Sequence, residues 1–371
     1  MRILHVSSLI EPLAVTPLGG TEQLIWELSK LQAADGHAVE VIAVQGSKLA
    51  DGVTFRDLSI KRDSVIRLST EPANIPADTG KIAEIIERER TAFTPVLNFI
   101  RQNSESIDVI HNHSYDYTAL FGLNELGIPT VHTLHLPPNY SWINEAFRAH
   151  ASAPHIRYVV VSRAMQRAYV DAMAKDFRLI PNWIDCSSIE FGDHPDDLLL
   201  WVGRVSPEKG LDRAIRISQL IGKKLLAIGP VYDDDYYRSV ILPLLTRSTT
   251  DYVGAKPRHY VLDQMGKARA LIAPISWEEP FGLVFVESLA SGTPVVVSPR
   301  GAALEIIEEG ANGFLAISDE DFASSIEKLD EISRSYCRQS VETRFNPSVS
   351  LGKYYELYRE LADCRPPSMQ K

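Results

Sequence analysis

The chain has 371 residues, 45% of them hydrophobic and 23% charged, the mixture of a globular protein long enough for two domains. Its 48 acidic and 38 basic residues leave a net charge of -10, which argues against a nucleic-acid-wrapping protein, because counterion release needs a concentrated basic face. Cys186, Cys337 and Cys364 are too scattered for a metal pair or a disulfide framework, and no segment has the roughly 20 apolar residues that span a bilayer. A cytoplasmic protein is therefore expected, one still compatible with peripheral contact with a membrane.

Ile3 to Ser8 reads as a buried strand that ends in a loop with Gly19 and Gly20. A helical stripe follows (Leu24, Leu28, Leu31), closed by Gly36, and Ala38 to Val44 is the next apolar, β-branched run. Residues 81–102 form a long amphipathic stripe, and short strand-like runs come at Val109–His111, Thr130–Leu134 and Tyr158–Val161. Around Cys186–Asp197 the sequence turns polar and acidic, which marks a boundary between a domain over 1–185 and another over 196–347. Strands are then predicted at Leu198–Gly203, Lys224–Ile228, Tyr252–Gly254, Ala270–Ile275, Pro294–Val297 and Gly313–Ile317, with helices between them. A last periodic segment within 348–371 carries Tyr354, Tyr355 and Tyr358 on one face. Strand–helix alternation of this kind predicts an α/β protein of two doubly wound domains facing across a cleft, with ligands at the carboxyl ends of the strands.

Two strand-to-helix loops carry most of the chemistry. In the first, Trp201-Val-Gly-Arg204-Val-Ser-Pro-Glu-Lys209-Gly210, a flat guanidinium and a compact ammonium reach the strand's end and together suit a diphosphate. The competing reading is a solvated basic turn in which Arg204 pairs with Glu208. In the second, Glu279-Pro-Phe-Gly-Leu-Val-Phe-Val-Glu287, the N–H groups of Gly282, Leu283 and Val284 open a helix and form an anion cradle. Two carboxylates bracketing such a cradle match hydroxyl groups better than phosphate, although a capping Glu279 and a solvated Glu287 would explain the pair alone. Neither the Walker spacing nor the dinucleotide G-x-G-x-x-G is present.

Taken together, the chain resembles the retaining, nucleotide-sugar-dependent glycosyltransferases of the group one type, which have the GT-B fold of two Rossmann-like domains. The matching pieces are Gly19-Gly20-Thr21-Glu22, Thr133-Leu134-His135, Val161-Ser162, Ile180-Pro181-Asn182, Gly203-Arg204 with Glu208-Lys209-Gly210, the spaced pair Glu279 and Glu287, Leu304-Glu305-Ile306-Ile307, and Gly310-Ala-Asn312-Gly313-Phe314-Leu315. The resemblance implies that Arg204 and Lys209 hold the donor diphosphate, that Glu287 binds the ribose, and that Glu279 contacts the transferred hexose. Phe281, Gly282 and Leu283 would complete the cradle, Gly19 and Gly20 would approach the diphosphate and acceptor, and His135 would lie beside the reacting carbon. It also implies a partner set of nucleoside-diphosphate sugar plus a glycan, lipid-linked or small-molecule acceptor, no metal, no other cofactor, and a helix within 348–371 that returns to the first domain. Two positions depart from the family pattern: Trp183 replaces a usual glycine, and Gly301-Ala302-Ala303 stands where a second glycine is common.

Other readings compete. His111-x-His113 and His132-x2-His135 could build a metal-dependent hydrolase, since residues two apart on a strand face the same way, yet no carboxylate or cysteine is spaced to complete the shell. Asp233-Asp234-Asp235 fits a solvated helix start better than a magnesium site. An epimerase of the same fold would turn over the donor without an acceptor, and a binding protein would hold the donor without transfer or hydrolysis. Tyr115, Tyr117, Tyr140 and Trp142 could stack on an acceptor sugar, with core burial the equal alternative.

Overall fold

The computed structural model describes residues 1–15, 19–62, 64–65, 79–150, 152–173 and 176–362. The chain divides into two compact units, Met1–Ile180 with the chain from Leu351 onward, and Pro181–Ser350. The first holds a seven-stranded parallel sheet of β1 (Arg2–Val6), β2 (Ala38–Ile42), β3 (Val53–Arg56), β4 (Val109–Asn112), β5 (Thr130–Leu134), β6 (Ile156–Val160) and β7 (Arg178–Leu179), in the order 3-2-1-4-5-6-7. The second holds β8 (Leu198–Val202), β9 (Lys224–Ile228), β10 (Thr250–Tyr252), β11 (Ala270–Ala273), β12 (Val295–Val297) and β13 (Gly313–Leu315), in the order 10-9-8-11-12-13. Both sheets thus reverse direction of growth between their first and fourth strands, and such a switch point is where doubly wound sheets generally bind their ligands.

Burial explains why the strands form. LLLWV, KLLAI, ALIA and VVV are apolar runs that helices cover on both faces, so strict alternation is unnecessary. In the first unit, Leu4, Val6 and Ile110 pack with Phe93, Val96 and Ile100 of the Thr79–Gln102 helix, while Val39 and Val41 pack with Ile25 of the Gly20–Ala34 helix. The Gly20–Ala34 helix ends just before the expected Gly36 (φ +84°), and Gly292 (φ +86°) sits in the same way just beyond the Leu283–Ala290 helix. Asp233 caps its helix by accepting from the Tyr236 N–H, so the acidic triplet is a helix start. The turn-rich stretch after Cys186 is tied to the second unit: Arg338 donates to the carbonyls of Cys186 and Ile189, and Arg334 to that of Gly192.

One buried pair in the first unit is electrostatically costly. Glu89, on the Thr79–Gln102 helix, accepts the Thr118 N–H at the start of the Tyr117–Asn124 helix, and its other oxygen has no partner among the described residues. Burial pushes the Glu89 carboxyl up to about 7, and burial together with the charge of Glu89 raises Asp116. Because the folded value lies above the unfolded one, the folded state binds the extra proton. Stability therefore falls as pH rises from about 4.5 to about 7 and levels off above that. Glu89→Gln removes the share of this slope that Glu89 contributes: the variant should be more stable than the parent by on the order of 3 kcal/mol at pH 8 and close to it near pH 4.5. Urea unfolding across that range checks it, and parallel profiles for the two proteins would refute the assignment.

Candidate active site

In the second unit the loops leaving β8 and β11, the two strands at the switch point, are locked together by backbone. Gly210 has φ +68°, and a Cβ there would lie 2.2 Å from the Pro274 carbonyl oxygen, so only glycine fits. The Ser276 N–H donates to the Glu208 carbonyl at 3.0 Å, and the Trp201 indole, rising from β8, donates to the Lys209 carbonyl at 3.1 Å. This brings side chains seventy residues apart into contact. The Lys209 ammonium lies 2.7 Å from Glu279 Oε2, which also accepts the Trp277 indole N–H at 3.0 Å. Lys209 sits 4.1 Å above the Trp277 ring, and Arg204 stands over Tyr232 at 5.0 Å and Trp277 at 5.9 Å.

Lys209 and Glu279 are largely out of water, with side chains 17% and 12% exposed. Burial pulls the Lys209 ammonium down from its ordinary value and nearby Arg204 adds to this, while Glu279 and Glu208 pull it back up. Arg204 does meet Glu208, at 3.4 Å, and Ser206 holds the same carboxylate oxygen at 2.6 Å. The basic-turn pairing and the convergence of cations are therefore both present. Glu279 is carried by a loop that β12's exit supports: Gly301 N–H donates to Glu278 at 2.6 Å and Ala302 N–H to the Glu279 carbonyl at 2.8 Å. Next in the chain, Phe281 is buried and Gly282 (φ +82°) precedes the Leu283–Ala290 helix, whose first N–H groups have no intrahelical acceptor. Glu287, in the next turn, pairs with Arg258 at 3.0 Å. The second unit thus gathers Arg204, Lys209 and Glu279 beside an open helix start, with Glu287 on that helix. Trp277, Tyr232 and Arg258 are partners the sequence reading missed, although Trp277 lies only two residues before Glu279.

In the first unit, Gly19 precedes the Gly20–Ala34 helix, and a Cβ on it would fall 2.0 Å from the Glu22 carboxylate. That carboxylate accepts the Ser8 hydroxyl at 2.6 Å, which gives the Gly-Gly-Thr-Glu spacing a packing reason. His135, just past β5, does not stand with His132. Adjacent strand residues face opposite sides, and His132 bonds Asn124 at 2.8 Å and Asn112 at 3.0 Å on the other face. His135 joins His113 at 3.3 Å, His113 stacks on His111 at 4.1 Å, and His5, the register partner of His111, completes the group. His5, His111 and His113 could in principle hold an ion, since their ligand atoms lie within 4.8 Å of one another. Every ring nitrogen of the three already has a hydrogen-bond partner, however, and the group contains no carboxylate or thiol. The hydrolase reading is not favoured. Burial holds His5 and His135 near 4 and His111 and His113 well below the ordinary value, so all four are neutral at pH 7. Tyr115, Tyr140 and Trp142 are buried, in line with the core alternative for them.

Comparison with known proteins places the chain in a family. Residues 189–344 match the family described as glycosyl transferases group 1, and residues 18–188 match glycosyltransferase family 4. The chain belongs to the group 1 glycosyltransferases. An uncharacterized glycosyltransferase of Methanocaldococcus jannaschii is 28% identical over 57% of this chain, which spans 62% of that relative's length. The D-inositol 3-phosphate glycosyltransferase of Frankia alni is 24% identical over 89% of both chains. The solved structure of Anabaena HepE in complex with UDP-glucose superposes with a TM-score of 0.70 at 18% identity, covering 96% of this chain and 98% of that one. That likeness fixes the fold of this glycosyltransferase as GT-B. Because both halves match glycosyltransferase families, the epimerase alternative is not favoured either.

The support of the Glu279 loop is open to a direct check. At Gly301 (φ +55°) a Cβ would lie 2.3 Å from the Glu279 carbonyl oxygen and 2.4 Å from its nitrogen, whereas at Gly310 (φ +72°) the nearest atom is Phe314 at 4.0 Å. Gly301→Ala should cost about 2–3 kcal/mol and Gly310→Ala about 1 kcal/mol in thermal unfolding. Equal costs would show that the Glu279 backbone is not held in this way.

Proposed function

We propose that this glycosyltransferase moves a hexose from a nucleoside-diphosphate sugar to a hydroxyl of a sugar, lipid-linked or small-molecule acceptor, with retention of anomeric configuration and without a metal ion. The observation that carries the reading is the meeting of Arg204, Lys209 and Glu279 beside the open start of the Leu283–Ala290 helix. In this reading the bond from the anomeric carbon to the diphosphate oxygen breaks and the electron pair leaves with the phosphate. The acceptor oxygen takes the carbon on the same face, and its proton passes to the departing oxygen. Charge grows on the leaving diphosphate, so fixed cations and aligned N–H donors lower the barrier most. Arg204, Lys209 and the N–H groups at Gly282 and Leu283 supply them, with Phe281 shaping the cradle's wall. The HepE complex, a protein of the same fold holding UDP-glucose, supports such a donor.

The ion pair gives this assignment a physical logic. A diphosphate offers Lys209 a second anionic partner, which releases Glu279 to accept hydroxyl groups of the hexose, so phosphate and sugar together replace one internal contact. Glu287, oriented by Arg258, accepts from the ribose hydroxyls. On the same reading Gly19 and Gly20 of the first unit are backbone N–H donors to the diphosphate and acceptor, and neutral His135 is a contact of the transferred sugar. A cytoplasmic site is proposed as well, consistent with Cys186 and Cys337 being free and buried. No helix among the described residues is long and apolar enough to cross a membrane.

Arg204→Ala and Lys209→Ala should each lower kcat/KM for the donor by on the order of 2–4 kcal/mol in transition-state binding, roughly 30- to 1000-fold. Near-normal kinetics in both would overturn the diphosphate assignment. Glu287→Ala should weaken nucleoside-diphosphate binding by about 1–3 kcal/mol in calorimetry, and unchanged affinity would remove Glu287 from the ribose site. The reaction class itself is tested by thermal-shift screening of nucleotide sugars, followed by NMR of the anomeric signal of the product. Stabilisation of about 2.7 kcal/mol is expected at a hundred times the dissociation constant, and an inverted product would refute retention.

A further inference from the structure

Beneath His135 runs a line of hydrogen bonds that no part of the proposed chemistry uses. Gln32, on the Gly20–Ala34 helix, accepts from His5 Nε2 at 2.7 Å through its amide oxygen. His5 Nδ1 meets His113 Nε2 at 3.2 Å, and His113 Nδ1 meets His135 Nε2 at 3.3 Å. The Gln32 amide nitrogen donates to the Tyr358 hydroxyl at 3.1 Å, and that hydroxyl lies 2.6 Å from His111 Nδ1. Gln32, His5 and His113 are all buried.

We infer that Gln32 is a positioning residue that sets the tautomer of His135 through His5 and His113. Donor and acceptor chemistry fixes each ring in turn. A neutral imidazole has one N–H and one lone pair, and an amide oxygen can only accept. His5 must therefore carry its proton on Nε2, which leaves Nδ1 as an acceptor. His113 must then donate from Nε2 and accept at Nδ1, and His135 must donate from Nε2. The relay ends with His135 offering the Nδ1 lone pair on its other edge, ready to accept an O–H or N–H from a bound molecule. Burial keeps these rings neutral, so no second ring proton blurs the count. The Gln32 amide also feeds the Tyr358 branch, where Tyr358 can in turn donate to His111 Nδ1 and His111 Nε2 to the Thr133 hydroxyl at 2.7 Å. Turning the amide over would reverse both branches at once, so one side chain sets the sense of the whole network.

The use of that lone pair by a substrate rests on the role proposed for His135; the relay itself does not. The test is imidazole nitrogen NMR on the full chain with labelled histidine, using His135→Asn and His113→Asn to assign signals. In the parent, His5, His113 and His135 should all be Nε2–H tautomers, and an Nδ1–H signal from any of them overturns the relay whether or not a variant folds. In Gln32→Leu the His5 N–H would face an apolar group. A buried N–H without an acceptor is tolerated less than a bare lone pair, so the line should reverse and His135 should become the Nδ1–H tautomer. A folded Gln32→Leu protein in which His135 stays Nε2–H refutes the inference. Donor turnover measured on the same sample separates the two readings: a reversed tautomer with unchanged turnover upholds the relay and removes His135 from the reaction.

Discussion

The second unit depends on one close backbone approach. Where Gly210 passes the Pro274 carbonyl, two loops from adjacent strands become a single surface, and only then can Lys209 reach Glu279. Once formed, the ion pair is mostly removed from water, and each charge relies on the other: removing one partner would leave a buried, uncompensated charge, which costs far more than a surface pair contributes. Trp277 adds a ring beneath the ammonium and an N–H to the carboxylate, so both charges are held in place before any ligand arrives. Preorganisation of this kind lets fixed dipoles and charges act on a reacting centre without reorganising during the reaction.

The two sheets share a strand order, yet they fill the switch point differently. In the second unit, charged groups rise on loops beyond β8 and β11. In the first, His5 of β1 and His111 of β4 face each other within the sheet itself, and the group continues to His113 and His135. Inside a sheet covered on both faces a charge would lack solvent and counter-charge, so the polar groups there are neutral and bonded at every ring nitrogen of His5, His111 and His113. The Tyr354 and Tyr358 hydroxyls from the Pro347–Ala362 helix close the network from one side, and Gln32 closes it from another. A fully satisfied polar cluster rigidifies the strand ends on which His135 stands.

Most of this fold can be read along the chain because parallel strands announce themselves as apolar runs; Thr130–Leu134 and Lys224–Ile228 begin and end where their composition does. Edge strands do not. Val53–Arg56 is half-exposed and Arg178–Leu179 is two residues long, so neither has an apolar run to detect. Tyr252–Gly254 shifts back to Thr250–Tyr252 for the same reason, since β10 is an edge strand paired only with β9 among the described residues. Within the candidate site, the charged members of each loop were legible because loop, strand end and charge are neighbours in sequence. His5 and Gln32 were not: each looks like an isolated polar residue until register places His5 beside His111 and the helix lays Gln32 over it. The spacing His132-x2-His135 misled because a pairing of histidines on one strand requires an even offset.

The departures from the family pattern show where glycine is needed and where it is not. Gly301 has φ +55° and touches the Glu279 backbone, so its lack of a side chain is a requirement. Ala302 has φ -69° and ψ -11°, ordinary right-handed values that any residue adopts, and it contributes to the loop only through its N–H, which reaches the Glu279 carbonyl. Ala303 opens a helical turn and is buried, so a methyl there fills space without disturbing the loop. Trp183 is likewise buried in the second unit, its indole N–H without a partner among the described residues, and its neighbour Ile184 bonds back to the Phe345 carbonyl at 2.9 Å. Ala302, Ala303 and Trp183 are thus accommodated by packing, while the left-handed turn against the Glu279 backbone falls to Gly301. A chain can therefore drift from the usual glycine pattern around this loop and keep the charge arrangement intact, provided the one left-handed residue stays.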